Sequence, residues 1–459
     1  MPSPSSKLAL LQHIVKNLHR EPWKKDGPIT QSTLQALQLV KGKIGPAGIV
    51  GIRLEAAEAV TQLADVIFSG SRYQRGTTFA AVANQLTDLI ILNYIDQANA
   101  AVGAKDVAFV EQKIADWFQE QIAVHEFYIP CFISPWHSAA FTIGPVRFTH
   151  IQDFAHAAKA EFGSMFEITF DEVFQQMGRA AANWMATVKV EGCTKERAQE
   201  IADLAVDIAL AGIQLCMPED ASQHMARMTG RTTPVLRQAV SRSDGQISTA
   251  MTNLEPGRAF GPGFLDQRLT EAKQLLDAVG SRVTAFVSGK GRFPDLEQAW
   301  ADAAYWFHEG LAEPLDTIAV PKLETSIEVL LRSESTKGSK ARVLLAVRAF
   351  YGKEPGDLVN PQSQTTVEQF ATGFVRDRSR ILHGTWSTLA HSLRASRPSL
   401  IALVRELLAH YSMELDEYAA SASPTDDVEA FLNFVGQRRK AASAAAAPAA
   451  AATAAQSGS

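Results

Sequence analysis

Cysteine is scarce in this chain, with Cys131, Cys193 and Cys216 the only three among 459 residues. They are odd in number, widely spaced and form no C-x-x-C pair, which excludes a disulfide framework and a cysteine-based zinc site. Such residues are expected to be small, buried and apolar, in a reducing compartment. Long apolar runs are also missing. Stretches such as Leu89–Leu92 fall far short of the roughly 20 residues a membrane helix needs. The opening MPSPSSKLALLQHIVKN lacks the apolar core and cleavage site of a signal peptide. The expectation is a cytoplasmic protein with no membrane partner.

Several catalytic signatures are absent as well. There is no G-x-x-x-x-G-K-[ST], since Ser288-Gly289-Lys290-Gly291 lacks the earlier glycine. Gly257, Gly261 and Gly263 surround a proline in a turn-like segment rather than a dinucleotide loop. Neither His125-Glu126 nor His308-Glu309 is followed by a second histidine at metalloprotease spacing, and no G-x-S-x-G occurs. Nucleotide hydrolysis, hydride transfer and zinc proteolysis therefore lose their usual support, and no metal or cofactor is expected. The formal net charge of -5 argues against a surface built throughout to hold nucleic acid, but leaves room for a local basic site.

What is present is a mainly α pattern. The length exceeds what one core usually organises, so more than one domain is expected. Apolar spacing predicts helices over 5–20, 49–68, 74–101 and 105–124, after which 126–150 alternates as strands with a turn at Gly144-Pro145. A short strand at 186–190 and a strong helix at 194–217 follow, then mixed strand and loop over 218–262. From 265 the pattern is helical again: 266–280, 295–312, 318–332, 340–350, 366–383, 386–410 and one more starting at Ser423-Pro424 and ending near 437. The alanine-rich end cannot build a core. The expected division is an α-rich region with a small β insert over 1–264, a helical domain over 265–437 and a disordered tail over 438–459.

Reactive side chains concentrate in Phe374-Val375-Arg376-Asp377-Arg378-Ser379-Arg380-Ile381-Leu382-His383-Gly384-Thr385-Trp386. An arginine fork suits a phosphodiester, and histidine moves a proton near neutral pH. Together they meet the minimum need for RNA scission: a base for the ribose 2′-hydroxyl and a cation for the charged phosphorane. On an ideal helix Arg376 and Arg380 share the face of His383, whereas Arg378 lies well round it. Gly384 could distort the helix end. On spacing alone, arginines on a helix are more often a solvated face, and a lone histidine more often satisfied structure, than catalytic groups.

The string Arg378-Ser379-Arg380-Ile381-Leu382-His383-Gly384 resembles the R-x-x-x-x-H-G signature of HEPN domains, most of all bacterial ApeA-type HEPN proteins. Leu323-Glu324-Thr325-Ser326-Ile327-Glu328-Val329-Leu330-Leu331 resembles the family's glutamate helix, and Lys340 to Phe350 its following basic-apolar helix. The resemblance covers about 295–435. It implies a helical bundle that pairs as a homodimer, with the motifs of two subunits lining one cleft. It also implies metal-independent RNA cleavage to a 2′,3′-cyclic phosphate and a 5′-hydroxyl, in a toxin or anti-phage setting with an antitoxin or phage-derived trigger.

On that basis His383 is the general base or acid, and Arg378 the phosphate-binding cation with Arg376 as its rival. Arg380, Ser379, Lys340 and Arg342 are candidate substrate contacts. Glu328 either orients an arginine or is a surface charge, and Gly384 supports the turn. Residues 321–410 carry 13 Lys and Arg against 8 Asp and Glu, a local +5 within a chain of -5, so positive charge gathers where RNA would bind. Two other readings stay open: a HEPN scaffold that dimerises or binds nucleotide without catalysis, and a helical adaptor in which the motif is coincidental.

Overall fold

A computed structural model describes residues 4–22, 39–45, 48–69, 73–97, 101–230, 236–333, 336–361, 364–383, 385 and 397–456. The chain is mainly α, with 17 α-helices among the described residues and a small β component. In order it runs α1 (Pro4–Lys16), β1 (Leu18–Pro22), β2 (Leu39–Gly45), β3 (Gly48–Arg53), α2 (Ala57–Ser69), α3 (Tyr73–Gly76), α4 (Phe79–Tyr94) and α5 (Ala104–Gln121). Then come β4 (Ala123–Phe132), β5 (Phe141–Ile143), β6 (Val146–His150), α6 (Ile151–Phe162), α7 (Met165–Ala180), β7 (Trp184–Cys193), α8 (Lys195–Leu215), α9 (Glu219–Ser222), β8 (Ala226–Arg227), β9 (Leu236–Ser243) and β10 (Gln246–Asn253). The rest is helical: α10 (Phe264–Glu271), α11 (Lys273–Ser288), α12 (Pro294–Ala312), α13 (Asp316–Leu330), α14 (Thr336–Tyr351), α15 (Val367–Leu382), α16 (Arg397–Ala419) and α17 (Val428–Gln456).

Contacts divide the chain into two units, Met1–His125 with Val190–Ile201, and Glu126–Lys189 with Ala202–Ser459. This division does not coincide with the sequence boundary at 264.

The first unit holds a three-stranded antiparallel sheet, order β1-β3-β2. Its core joins Leu11 and Ile14 of α1, Leu63 of α2, Leu86 and Ile90 of α4 and Ile114 of α5. Thr78 caps α4 by accepting the Ala81 amide at 3.1 Å. The helix expected from residue 49 is corrected here: Gly48–Arg53 is the central strand of that sheet. The stretch Gly-Ile-Val-Gly-Ile-Arg pairs β-branched residues with two glycines, a composition that disfavours helix.

In the second unit a five-stranded sheet has the order β5-β6-β7-β4-β8, with β5 and β6 joined through Gly144-Pro145 as the alternation predicts. Helices α6 and α7 fall where no element was assigned. They bring Phe154, Phe162 and Phe170 within 5.6–6.0 Å of the Tyr128 ring, so the aromatics around 127–148 include sheet-face core. The helices from α11 onward pack on one another, α12 along α13 and both against α16.

A buried polar network ties these helices to the sheet. Arg227 of β8 donates through Nε and Nη2 to Asp207 of α8 at 2.9 and 2.8 Å. His308 of α12 shares a 2.9 Å hydrogen bond with Gln214 of α8. Helix α17 continues to Gln456, through the stretch expected to be a disordered tail. Alanine has the strongest intrinsic helix propensity, so such a run can prolong a helix already nucleated by core residues such as Phe431 and Leu432.

Candidate active site

The candidate site is assembled from α13, α14 and α15. Helix α15 starts with a capping box: Thr366 accepts the Gln369 amide at 3.2 Å while Gln369 returns a bond to the Thr366 amide at 2.9 Å. It ends at Leu382 with His383 as its C-cap, at φ -86° and ψ 5°. The His383 amide still donates to the Ser379 carbonyl at 3.0 Å. The Thr385 amide reaches the Arg380 carbonyl at 2.9 Å, the long bond of a Schellman-type end. Gly384, assigned to shape this turn, lies outside the described residues, as does Trp386.

Along α15 the charged residues fall into two sets. Arg376, Arg380 and His383 are exposed, at spacings of four and three that put them on one side. Arg378 is only 30% exposed, and its Nη1 makes a 2.7 Å ion pair with Oε2 of Glu328. Glu328 lies near the end of α13 and is buried. Its other oxygen accepts a 2.8 Å hydrogen bond from Ser339 of α14. One buried carboxylate thus joins three helices, each oxygen with its own donor. A carboxylate bonded in this way fixes the guanidinium it binds.

Of the two readings of Glu328, the structure therefore places it against an arginine, and that arginine is Arg378. One turn earlier on α13, Glu324 is also buried.

Ser379 is half-buried beside Arg378. Lys340 is ion-paired with Glu368 at 2.9 Å and Arg342 with Glu429 at 3.0 Å, so each already has a carboxylate partner. Arg397, counted with the positive charge around the motif, has a structural post. It donates to the carbonyls of Leu311 and Glu313 at 3.0 and 2.8 Å and to Asp316 at 3.1 Å, clamping the corner from α12 to α13.

Ser339 was missed by motif reading. The signal was a lone hydroxyl on the apolar face of α14, one turn before Val343 and two before Ala346 and Val347, all buried.

An exposed histidine beside two arginines, with a third arginine set by a buried carboxylate, can bind an oxyanion and exchange a proton with it. No helix among the described residues is long and apolar enough to cross a membrane. No protein-family model, curated protein or solved structure matches the chain.

Proposed function

We propose that this protein is a metal-independent endoribonuclease of the HEPN type, acting as a homodimer in a toxin or anti-phage role. The observation that carries the proposal is the Arg378–Glu328–Ser339 arrangement, with Arg378 five residues before His383 on the same helix end. A catalytic cation needs a fixed position, and a buried carboxylate bonded to a second helix supplies one. In the proposed reaction His383 accepts the proton of the ribose 2′-hydroxyl as that oxygen attacks phosphorus. Arg378 and the exposed Arg376 and Arg380 balance the charge of the phosphorane. The bond to the 5′-oxygen breaks, and this oxygen takes up a proton, leaving a 2′,3′-cyclic phosphate and a 5′-hydroxyl.

The second reading, a non-catalytic HEPN scaffold, is favoured by one feature of the same pair: Arg378 Nη1 already spends a hydrogen bond on Glu328. The test uses purified protein and total RNA in excess EDTA, together with RNA from cells after induced expression. Wild type should fragment RNA to cyclic-phosphate ends. His383→Ala should lower the rate by about 10²–10⁴, the usual worth of general acid–base catalysis. Intact RNA with wild type under both conditions would favour the scaffold, and equal cleavage by both proteins would remove His383 from the mechanism.

A further inference from the structure

The second unit holds a cleft of about 540 Å³ away from the α15 motif. Its walls are the β5–β6 turn, helix α11 and the loop into α12. The turn lies directly on the helix because both contact residues are glycine. A Cβ on Gly280 would sit 2.7 Å from the Gly144 amide nitrogen. Three cations line the space: Arg282 of α11, and Lys290 and Arg292 of the loop. Arg282 is only 5% exposed. Its Nη2 donates to Asp416 of α16, but Nε and Nη1 have no hydrogen-bond partner. A buried guanidinium with two unmade bonds is costly, and native structures usually satisfy such groups.

Asp416 balances the charge of Arg282, but Lys290 and Arg292 are exposed and have no such partner among the described residues. Asp277 is taken by Lys273 at 2.7 Å. Glu297 is buried with one oxygen unpartnered, and its burial raises its pKa toward the neutral form, with Arg282 opposing. The cleft therefore presents two unpaired cations, Lys290 and Arg292, with two carboxyls beside them, Glu297 and the lysine-paired Asp277. Its volume falls in the range of small-ligand sites, roughly 300–1,000 Å³. A phosphate monoester carries about -1.5 to -2 at neutral pH, with three acceptor oxygens. That matches the two unpaired cations in charge and leaves an oxygen for the free N–H groups of Arg282. A monoester offers three unsubstituted oxygens to Lys290, Arg292 and Arg282, whereas a diester, substituted on two sides, offers two.

We propose that this cleft binds a small phosphorylated metabolite, its phosphate held by Lys290 and Arg292 and reaching the unsatisfied N–H groups of Arg282. The test is calorimetry on the full chain with 5′-AMP, pyrophosphate and inorganic phosphate as probes, and adenosine as the uncharged control. Saturable one-site binding of a phosphate-bearing probe, absent with adenosine, is the expected result. The doubly substituted Lys290→Ala, Arg292→Ala protein changes only exposed side chains and should keep its melting temperature while losing roughly tenfold or more in affinity. Arg282→Lys should also weaken binding while retaining a cation for Asp416. The proposal is overturned if no phosphate probe binds at millimolar concentration, which would mean water alone serves Arg282. Binding that survives the double substitution would also overturn it. So would displacement of AMP by a 5′-hydroxyl RNA oligonucleotide at equal concentration, which would assign the cleft to nucleic acid.

Discussion

At the scale of single residues, Glu328 and His383 should separate stability from chemistry. Glu328 is buried and holds donors from two other helices, whereas His383 is exposed at a helix end. Glu328→Ala leaves the partly covered Arg378 without its carboxylate and Ser339 without its acceptor, and should destabilise by about 1–3 kcal/mol. Glu328→Gln keeps the shape and one acceptor oxygen, and should cost less. His383→Ala removes an exposed ring and should change stability by no more than about 0.5 kcal/mol. Thermal melts of the three variants check this. A destabilised His383→Ala protein would mean that its loss of activity cannot be read as loss of a catalytic group.

The pairing of Arg378 with Glu328 was open to sequence reading because a family pattern suggested both residues. Ideal helical geometry instead favoured Arg376. The structure keeps that spacing, since the His383 amide still donates to the Ser379 carbonyl at 3.0 Å. Ser339 was open to reading only as a hydroxyl on the apolar face of α14; its partner Glu328 lies on another helix and could not be inferred from that spacing.

Elements with a long unbroken apolar pattern or a clear alternation around a turn were readable. Helix α8 and the hairpin of β5 with β6 follow their apolar spacing. The strands β1 to β3 were not, because they are short and rich in glycine or charge, and β1 pairs with β3 across a gap in sequence. A run such as Gly48–Arg53 carries an equally apolar signal under either period, and only its neighbours decide.

One contact between elements gives a sharp test. Gly144 has φ +57°, and a Cβ there would lie 2.4 Å from the Gly280 carbonyl oxygen. Gly280 itself is helical and unstrained, so Gly280→Ala adds helix propensity but drives a methyl into the backbone of the turn. The clash is with main chain and cannot be relieved by a rotamer change. The net effect should be a loss of about 1–3 kcal/mol, as for an overpacked core. An unchanged or raised melting temperature would show that the turn moves off the helix at little cost.

Over the whole molecule, the buried cores of both units carry the stability, and no side chain of the β9–β10 hairpin from 238 to 253 is buried with them. Its register runs from Leu236 opposite Asn253 to Ser243 opposite Gln246. Asp244 and Gly245, at φ 52° and 82°, close the turn, a backbone suited to a two-residue hairpin connection. Every side chain from 238 to 253 is exposed. Val240, Ile247 and Met251 are 67%, 73% and 68% exposed and fall on alternate pairs of the ladder, hence on one face. A lone two-stranded hairpin is marginal in water, so ladder bonds and cross-strand contacts such as Ser241 to Ser248 at 2.7 Å hold it with no core beneath. Replacing 237–252 by a short glycine–serine linker should therefore change global stability by no more than about 0.5 kcal/mol, the ordinary range for surface changes. Denaturant titration measures this through the midpoint. The slope should fall slightly or stay constant, since little surface is lost from the cooperative transition. A midpoint lowered by several times that amount would mean that the exposed face is covered in solution and that the hairpin belongs to a cooperative unit after all.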